Sequence, residues 1–272
     1  MGHCLGSLPC RSDPYDQRGK RLGAAKPART RPGGDGKSRH DRRSRSRKIA
    51  STKLPLATNC SLSERVYKAL KRDIVTGVHQ SGEALTENVL SKLYKGSRTP
   101  VREAAVRLQH DHLLRIVPNR GYFVTHITLH QLNEIYEFRL AVECSAAELA
   151  ARRTLDSELI ARLTQLANTK YTIDDRSSYE RFIVADTEFH VGIAKLSRNH
   201  LLLRAVDDAR CQMERIMYAA IDIGYYGELP IQEHIQILEA IQQRNPQLAR
   251  DLMYQHIFAS KDKVLRLACS GS

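Results

Sequence analysis

Ser97-Arg98-Thr99-Pro100-Val101-Arg102-Glu103 is the stretch on which the reading of this 272-residue chain turns. It has the marks of a helix start. Ser97 suits an N-cap, where its hydroxyl accepts an orphan backbone N–H, and Pro100 falls in the first turn, where a missing N–H costs little. Val101, Ala104, Ala105 and Leu108 follow at helical spacing and define a core-facing side. Arg98 and Arg102, four residues apart, lie roughly 40° apart around the axis on a different side. Two guanidinium groups together at a helix N-terminus suit phosphate oxygens and guanine edges. They also fit an ordinary solvated basic face, and the flanking sequence has to decide.

Upstream, Ser61-Leu62-Ser63-Glu64 is a capping box, followed by Leu62, Val66, Leu70 and Ile74 at every fourth position and by Gly77 as a stop signal. Leu85-Thr86-Glu87 opens a second helix, with Val89, Leu90 and Leu93 or Tyr94 as its buried side, and Lys95-Gly96 turns into the arginine helix. Helix, tight turn, helix is the arrangement that places its second helix in the major groove of DNA. Downstream, Leu113–Val117, Pro118-Asn119-Arg120-Gly121 and Tyr122-Phe123-Val124 predict a strand, a turn and a strand. A hairpin in this place is a wing, and Arg120 and Gly121 at its tip can approach the sugar–phosphate backbone or minor groove.

Charge divides the chain in the same way. Residues 1–58 carry 15 Lys/Arg against 4 Asp/Glu, residues 59–126 carry 11 against 6, and residues 127–272 carry 17 against 20. A basic N-terminal portion ahead of a mildly acidic one predicts a polyanion binder coupled to a second unit. The first 58 residues are rich in Arg, Gly, Ser and Pro, with a dense run at Arg42–Lys48. They read as a disordered basic tail, either an extra DNA-gripping arm or a dispensable extension. No run of about 18 apolar residues is present, so nothing is predicted to span a membrane. The six cysteines have neither zinc-like nor disulfide-like spacing and fit a reducing compartment, hence the cytoplasm.

Residues 127–272 read as helical throughout. Helices are predicted from Thr128 to about Arg153, Ser157 to Asn168, about Tyr179 to Leu196, His200 to about Ala220, Pro230 to near Gln243, and Pro246 to near Leu267, with loops at 169–177 and 221–229. Six helices with short connections make an antiparallel bundle. The fold class is therefore mainly α: a winged helix-turn-helix at 59–126 and an all-α six-helix bundle at 127–272. Inside the bundle, Asp186 and His190 leave one face of a helix, and His234 and His256 lie on two others. One carboxylate and three imidazoles can form a shell for a divalent transition metal, although a histidine on a helix is more often a hydrogen-bonded or surface residue.

The string from Ile74 to Val124 resembles the winged-helix domain of GntR-type bacterial transcription regulators, most specifically through Ser97-Arg98-Thr99-Pro100-Val101-Arg102-Glu103-Ala104. The resemblance implies that Ser97, Arg98, Thr99 and Arg102 read operator DNA. The match departs at Ser81, where a Pro is usual, at Ser91, at Lys95-Gly96, and at Asn88, where relatives often carry a DNA-contacting Arg. Asp186-Thr187-Glu188-Phe189-His190, Asn199, His234 and His256 resemble the FCD effector domain of FadR-like members, and the six-helix count points to the VanR-type branch. This implies a metal, commonly zinc or nickel, on Asp186, His190, His234 and His256, with a small carboxylate effector at its open positions. Arg139, in Glu137–Glu143, is then the effector's bidentate partner, the alternative being a surface salt bridge. The resemblance further implies a homodimer on a near-palindromic operator, bound to the nucleoid as a repressor that its effector releases, and no enzyme. The alternatives from other classes are a metal-dependent hydrolase fused to a DNA-tethering domain and a DNA-binding protein with a purely structural metal.

Overall fold

A computed structural model of the chain describes residues 60–222, 226, 227 and 229–270, with side chains through Arg266. The tail expected over 1–58 lies outside the described residues. Three helices and a small sheet come first: α1 (Leu62–Val75), β1 (Ala84–Leu85), α2 (Glu87–Leu93), α3 (Arg98–His110), β2 (Leu114–Val117) and β3 (Gly121–Val124). Six helices follow: α4 (Leu129–Arg152), α5 (Ser157–Ala167), α6 (Arg176–Leu196), α7 (His200–Asp222), α8 (Ile231–Gln242) and α9 (Pro246–Ser270). Among the described residues no helix is long and apolar enough to cross a membrane.

Local chemistry sets most of these boundaries. The Ser61 hydroxyl accepts from the Glu64 N–H at 3.1 Å, and Thr128 and Gln131 form a reciprocal capping box at the start of α4. Asp156, Asp175, Asn199 and Asn245 cap the helices that follow them in the same way. Gly77 ends α1 with φ +73°, a left-handed conformation that costs glycine nothing.

Several expectations are corrected. Leu85 belongs to a strand rather than to α2, whose N-cap is Thr86. β1 pairs antiparallel with β3, which also pairs with β2, so the wing is three-stranded in the order β1-β3-β2. A two-residue strand has too little alternation to show in a sequence. Val89 is 53% exposed; the buried side of α2 is Leu90 and, at its C-cap, Tyr94, whose hydroxyl donates to Asp73 Oδ2 at 2.8 Å. Leu62 is likewise exposed, since it precedes the turn of α1 that meets α3. The first wing strand starts at Leu114, α6 starts three residues before Tyr179, and α7 continues through Ile221 to Asp222.

Two cores result. One gathers Val66, Leu70, Ile74, Leu90, Val101, Leu108, Leu114 and Val124, and extends onto Tyr179, Phe182, Tyr218 and Ile221 of α6 and α7. The other, around Tyr136, Ala147, Leu163, Phe189, Ile237 and Ile257, fills the bundle. The winged helix is thus packed onto α6 and α7 by shared apolar contacts.

The sheet depends on Gly121, which has φ +100° and sits where a Cβ would stand 2.6 Å from the Leu85 carbonyl oxygen. Gly121→Ala is expected to pull β1 from β3 and to lower stability by at least ~1 kcal/mol. Urea unfolding checks this; an unchanged midpoint would show that the backbone yields there without cost.

Candidate DNA-reading face and candidate metal centre

Ser97, Arg98, Thr99 and Arg102 are all exposed on α3, on the side away from buried Val101, Ala104, Ala105 and Leu108. Ser97 is the N-cap residue by position, but its hydroxyl accepts no backbone N–H, contrary to expectation. Arg102 reaches back to α2, donating from Nε and Nη2 to the Glu87 carboxylate at 2.7 and 3.0 Å. Glu87 also accepts from the Tyr122 hydroxyl at 3.1 Å, so wing and helix hold one carboxylate between them. Arg98 donates from Nη2 to Asn88 Oδ1 at 3.2 Å. Asn88 thus orients an arginine of the next helix. Arg120 is exposed on the wing turn, its guanidinium 5.8 Å from the Phe123 ring centre. Gly121 lies beside it, and a side chain there would meet the Leu85 carbonyl oxygen of β1.

Asp186, His190, His234 and His256 converge inside the bundle, and all four are buried. The helical repeat brings Asp186 and His190 out of one face of α6, and α8 and α9 bring His234 and His256 against it. One ring nitrogen from each of the three histidines lies within 4.8 Å of the others. His190 Nε2 and His256 Nε2 are 3.2 Å apart, and Asp186 Oδ1 is 3.6 Å from His234 Nε2 and 4.0 Å from His190 Nε2. The Phe189 ring stacks on His234 at 4.0 Å and fixes its plane.

Around these four stand residues that sequence reading did not place. Glu143 faces His190 Nδ1 at 2.5 Å, and Glu233 faces His256 Nδ1 at 2.6 Å. Carboxylates on the far nitrogens of imidazoles orient the near ones and raise their basicity. Arg210 of α7 binds Asp186 through Nη2 and is itself buried. Its signal was present in the sequence: an arginine among Val206, Ala209 and Met213, on the apolar side of a helix. Arg139 is also buried; its Nε donates to Glu143 at 2.6 Å, so the ion pair is internal rather than on the surface.

The electrostatics favour ligation. Burial pushes His190 down to about 4, in spite of Glu143, and pushes His234 well below the ordinary imidazole range, helped by His256. Both rings are therefore neutral, with a lone pair to give. Burial would raise Asp186, but Arg210 and the histidines hold it ionised. His234 Nε2 is buried without a hydrogen-bond partner among the described residues. An orphaned imidazole nitrogen aimed at two other histidines and a carboxylate is what a bound cation would satisfy. The donor set of one oxygen and three nitrogens fits a divalent transition metal.

A cavity of about 430 Å³ opens beside this centre, lined among others by Arg139, Asp186, Arg210 and His256. The same α7 that supplies Arg210 reaches the winged helix with its next turn. Arg215, also buried, donates to the Thr125 carbonyl oxygen, to Thr125 Oγ1 at 2.9 Å and to Ser81 Oγ at 3.3 Å. Gln212 Nε2 donates to the Asp111 carbonyl oxygen at 2.7 Å. Ser81 thus supplies an acceptor to this contact. Burial lowers the Arg215 pKa, and among the described residues no carboxylate pairs with it.

Comparisons with known proteins agree with this geometry. Residues 62–124 match bacterial regulatory proteins of the gntR family, and residues 134–259 match the FCD domain. The chain is 27% identical over 211 residues to the HTH-type transcriptional repressor RspR of Escherichia coli (strain K12), covering 78% of this chain and 92% of that protein. It is 31% identical over 196 residues to the uncharacterized HTH-type transcriptional regulator YdhC of Bacillus subtilis (strain 168), covering 71% and 84%. Among solved structures, E. coli McbR/YncC superposes with a TM-score of 0.64 at 20% identity over 77% of this chain and 99% of that one, a likeness of fold.

Arg215→Ala removes the polar clamp between bundle and winged helix and leaves the Thr125 carbonyl without this donor. Amide exchange at residues 122–127 is expected to quicken, by the equivalent of about 1–3 kcal/mol of local stability, while the bundle core keeps its protection. Unchanged exchange there would show the clamp to be idle.

Proposed function

Because the chain belongs to the GntR family and carries an FCD domain behind its winged helix, we propose that this transcription regulator is a ligand-responsive repressor whose bundle senses a small carboxylate at a metal centre. Residues 59–126 are its reading head, and residues 127–272 its sensing and dimerising body. Ser97, Arg98, Thr99 and Arg102 meet base edges and phosphates, and Arg120 of the wing meets the backbone. As a homodimer it binds a near-palindromic operator whose half-site spacing matches its two heads.

The observation that carries the sensing half is the cluster of Asp186 with three buried histidines, one of them with an unpartnered ring nitrogen, at the wall of a cavity that Arg139 also lines. Asp186, His190, His234 and His256 would hold the metal, zinc or nickel by their donor set. When bound, the metal supplies a positive centre that a carboxylate oxygen can ligate. Arg139 supplies the charge-assisted hydrogen bonds: among the described residues only its Nε has a hydrogen-bond partner, its guanidinium lies 5.4 Å from the Tyr136 ring centre, and the residue lines the cavity.

Helix α7 offers the physical route from effector to DNA. It touches the cavity through Arg210 and the winged helix through Gln212 and Arg215. An effector shifts the heads only by binding one arrangement of this helix more tightly than the other. A hydrolase is not favoured. Of the acidic residues around the histidines, Glu143 is engaged by Arg139 and His190, Glu233 by His256, and Asp186 by Arg210. None of them is left over as a general base.

Arg98→Ala or Arg102→Ala is expected to weaken operator binding roughly ten- to a hundredfold without loss of fold. Gel-shift titration beside thermal unfolding reads both, and unchanged affinity would remove these side chains from the reading face. His234→Ala tests the metal directly, because its Nε2 has no hydrogen-bond partner to lose. Elemental analysis is expected to show metal in the parent and little in the variant, with the fold retained. Equal metal content in the two would refute the ligand set.

A further inference from the structure

The cavity beside the cage has a polar end and a mainly apolar end, and α4, α6 and α7 agree on which is which. On α7 the lining residues are Arg210, Met213, Ile216, Met217 and Ala220. They fall at one helical stripe, so a guanidinium stands at one end and aliphatic surface extends about 15 Å beyond it. On α6 the lining residues are Asp186, Phe182 and Tyr179, again polar to apolar, read toward the N-terminus. α4 runs from Arg139 back to Leu132 and on to Ile127, and α9 runs from His256 through Ser260 and Lys263 to Val264. Arg139, Asp186, Arg210, Glu233 and His256 stand at the cage end; Lys263 is the charged residue that lines the wall beyond it, and the remainder is mainly hydrocarbon, thioether and aromatic ring.

The hydroxyls at the apolar end are already engaged. Ser260 Oγ is hydrogen-bonded to the Tyr136 hydroxyl at 3.0 Å, and the Tyr179 hydroxyl accepts the Gly227 N–H at 3.2 Å. A ligand that put several hydroxyls against Phe182, Met213, Ile216 and Met217 would strip them of water without replacing their hydrogen bonds. A ligand with a hydrocarbon body would gain from the same wall, and the two methionines can adapt to its shape. By the ~30 Å³ that a water-sized group occupies, the cavity holds about a dozen non-hydrogen atoms.

We propose that the effector is a monocarboxylic acid with an apolar body, a medium-chain aliphatic or arylalkyl acid rather than a polyhydroxylated sugar acid. Its carboxylate lies at the Arg139–Asp186–Arg210–His256 end, and its body lies along the Met213–Met217–Ala220 stripe of α7. The proposal rests on the carboxylate-sensing reading above and adds the class of acid.

The test is isothermal titration calorimetry of the zinc-loaded full chain against acetate, butyrate, hexanoate and octanoate, with gluconate, glucuronate and 1-hexanol in parallel. Affinity is expected to rise about fourfold for each added methylene until the cavity is full. Hexanoate is expected to bind at least tenfold more tightly than either sugar acid. A flat chain-length series, or gluconate or glucuronate binding as tightly as hexanoate, overturns the apolar body while leaving carboxylate sensing intact. If no carboxylate binds, or 1-hexanol binds as well as hexanoate, the carboxylate reading falls and the proposal with it. Met217→Gln places the body. This half-buried residue touches none of the cage, so acetate affinity is expected to hold while the gain from acetate to hexanoate shrinks several-fold. An unchanged gain puts the body elsewhere and overturns the assignment.

Discussion

The carboxylate of Glu143, buried in the middle of α4 with Arg139 on one side and His190 on the other, is the interaction on which the bundle's design depends. Burial works against an ionised acid, yet these two neighbours hold Glu143 well below the usual carboxylate range. A second buried pair, Asp186 with Arg210, joins α6 to α7 within the same interior. Apolar residues of similar volume would serve stability as well or better, because each of these charges has to leave water. Their value lies in position: each pairing fixes a rotamer and the alignment of the helix that bears it. Together they hold three imidazoles and a carboxylate facing one point.

The same constraint organises the rest of the molecule through α7. Arg210 is inside the bundle, and Arg215, little more than one turn later, is under the winged helix. Both are buried guanidinium groups on one rigid element, so they cannot be repositioned independently. The apolar contacts of Tyr218 and Ile221 extend that attachment toward the reading head. A perturbation at the cavity wall therefore has a mechanical route to the surface that carries Arg98 and Arg102.

Much of this was legible in the order of residues. Capping signals at Ser61, Thr128 and Asn245 placed helix starts, because a cap is a local hydrogen bond within three or four residues. The core side of α3 followed from helical spacing alone, as did the adjacency of Asp186 and His190. Errors fell where tertiary contact overrules local pattern. Val89 and Leu62 are apolar but exposed, and the Leu85 segment pairs with a strand nearly forty residues later. Gly121, named as a contact point for DNA by its place on the wing, carries a second constraint that local pattern does not display: a neighbouring strand passes behind it.

By itself the sequence determined the mainly helical class, the helix-turn-helix with its wing, the six helices behind it, and the residue types that converge in the cage. The helices and the wing follow from periodicity, caps and composition, which act over a few residues; the cage set rests on the resemblance to the FCD domain. Only the tertiary structure decided that Arg139 is internal, that Arg210 rather than a sequence neighbour answers Asp186, and that Glu143 and Glu233 stand behind two of the histidines. It also decided that the cavity has most of its charge at one end and is mainly apolar along the rest. The Asp186–Arg210, Glu143–His190 and Glu233–His256 pairings join residues 24, 47 and 23 positions apart. Whether a charge is buried, and against what, depends on how helices pack rather than on what either segment prefers alone.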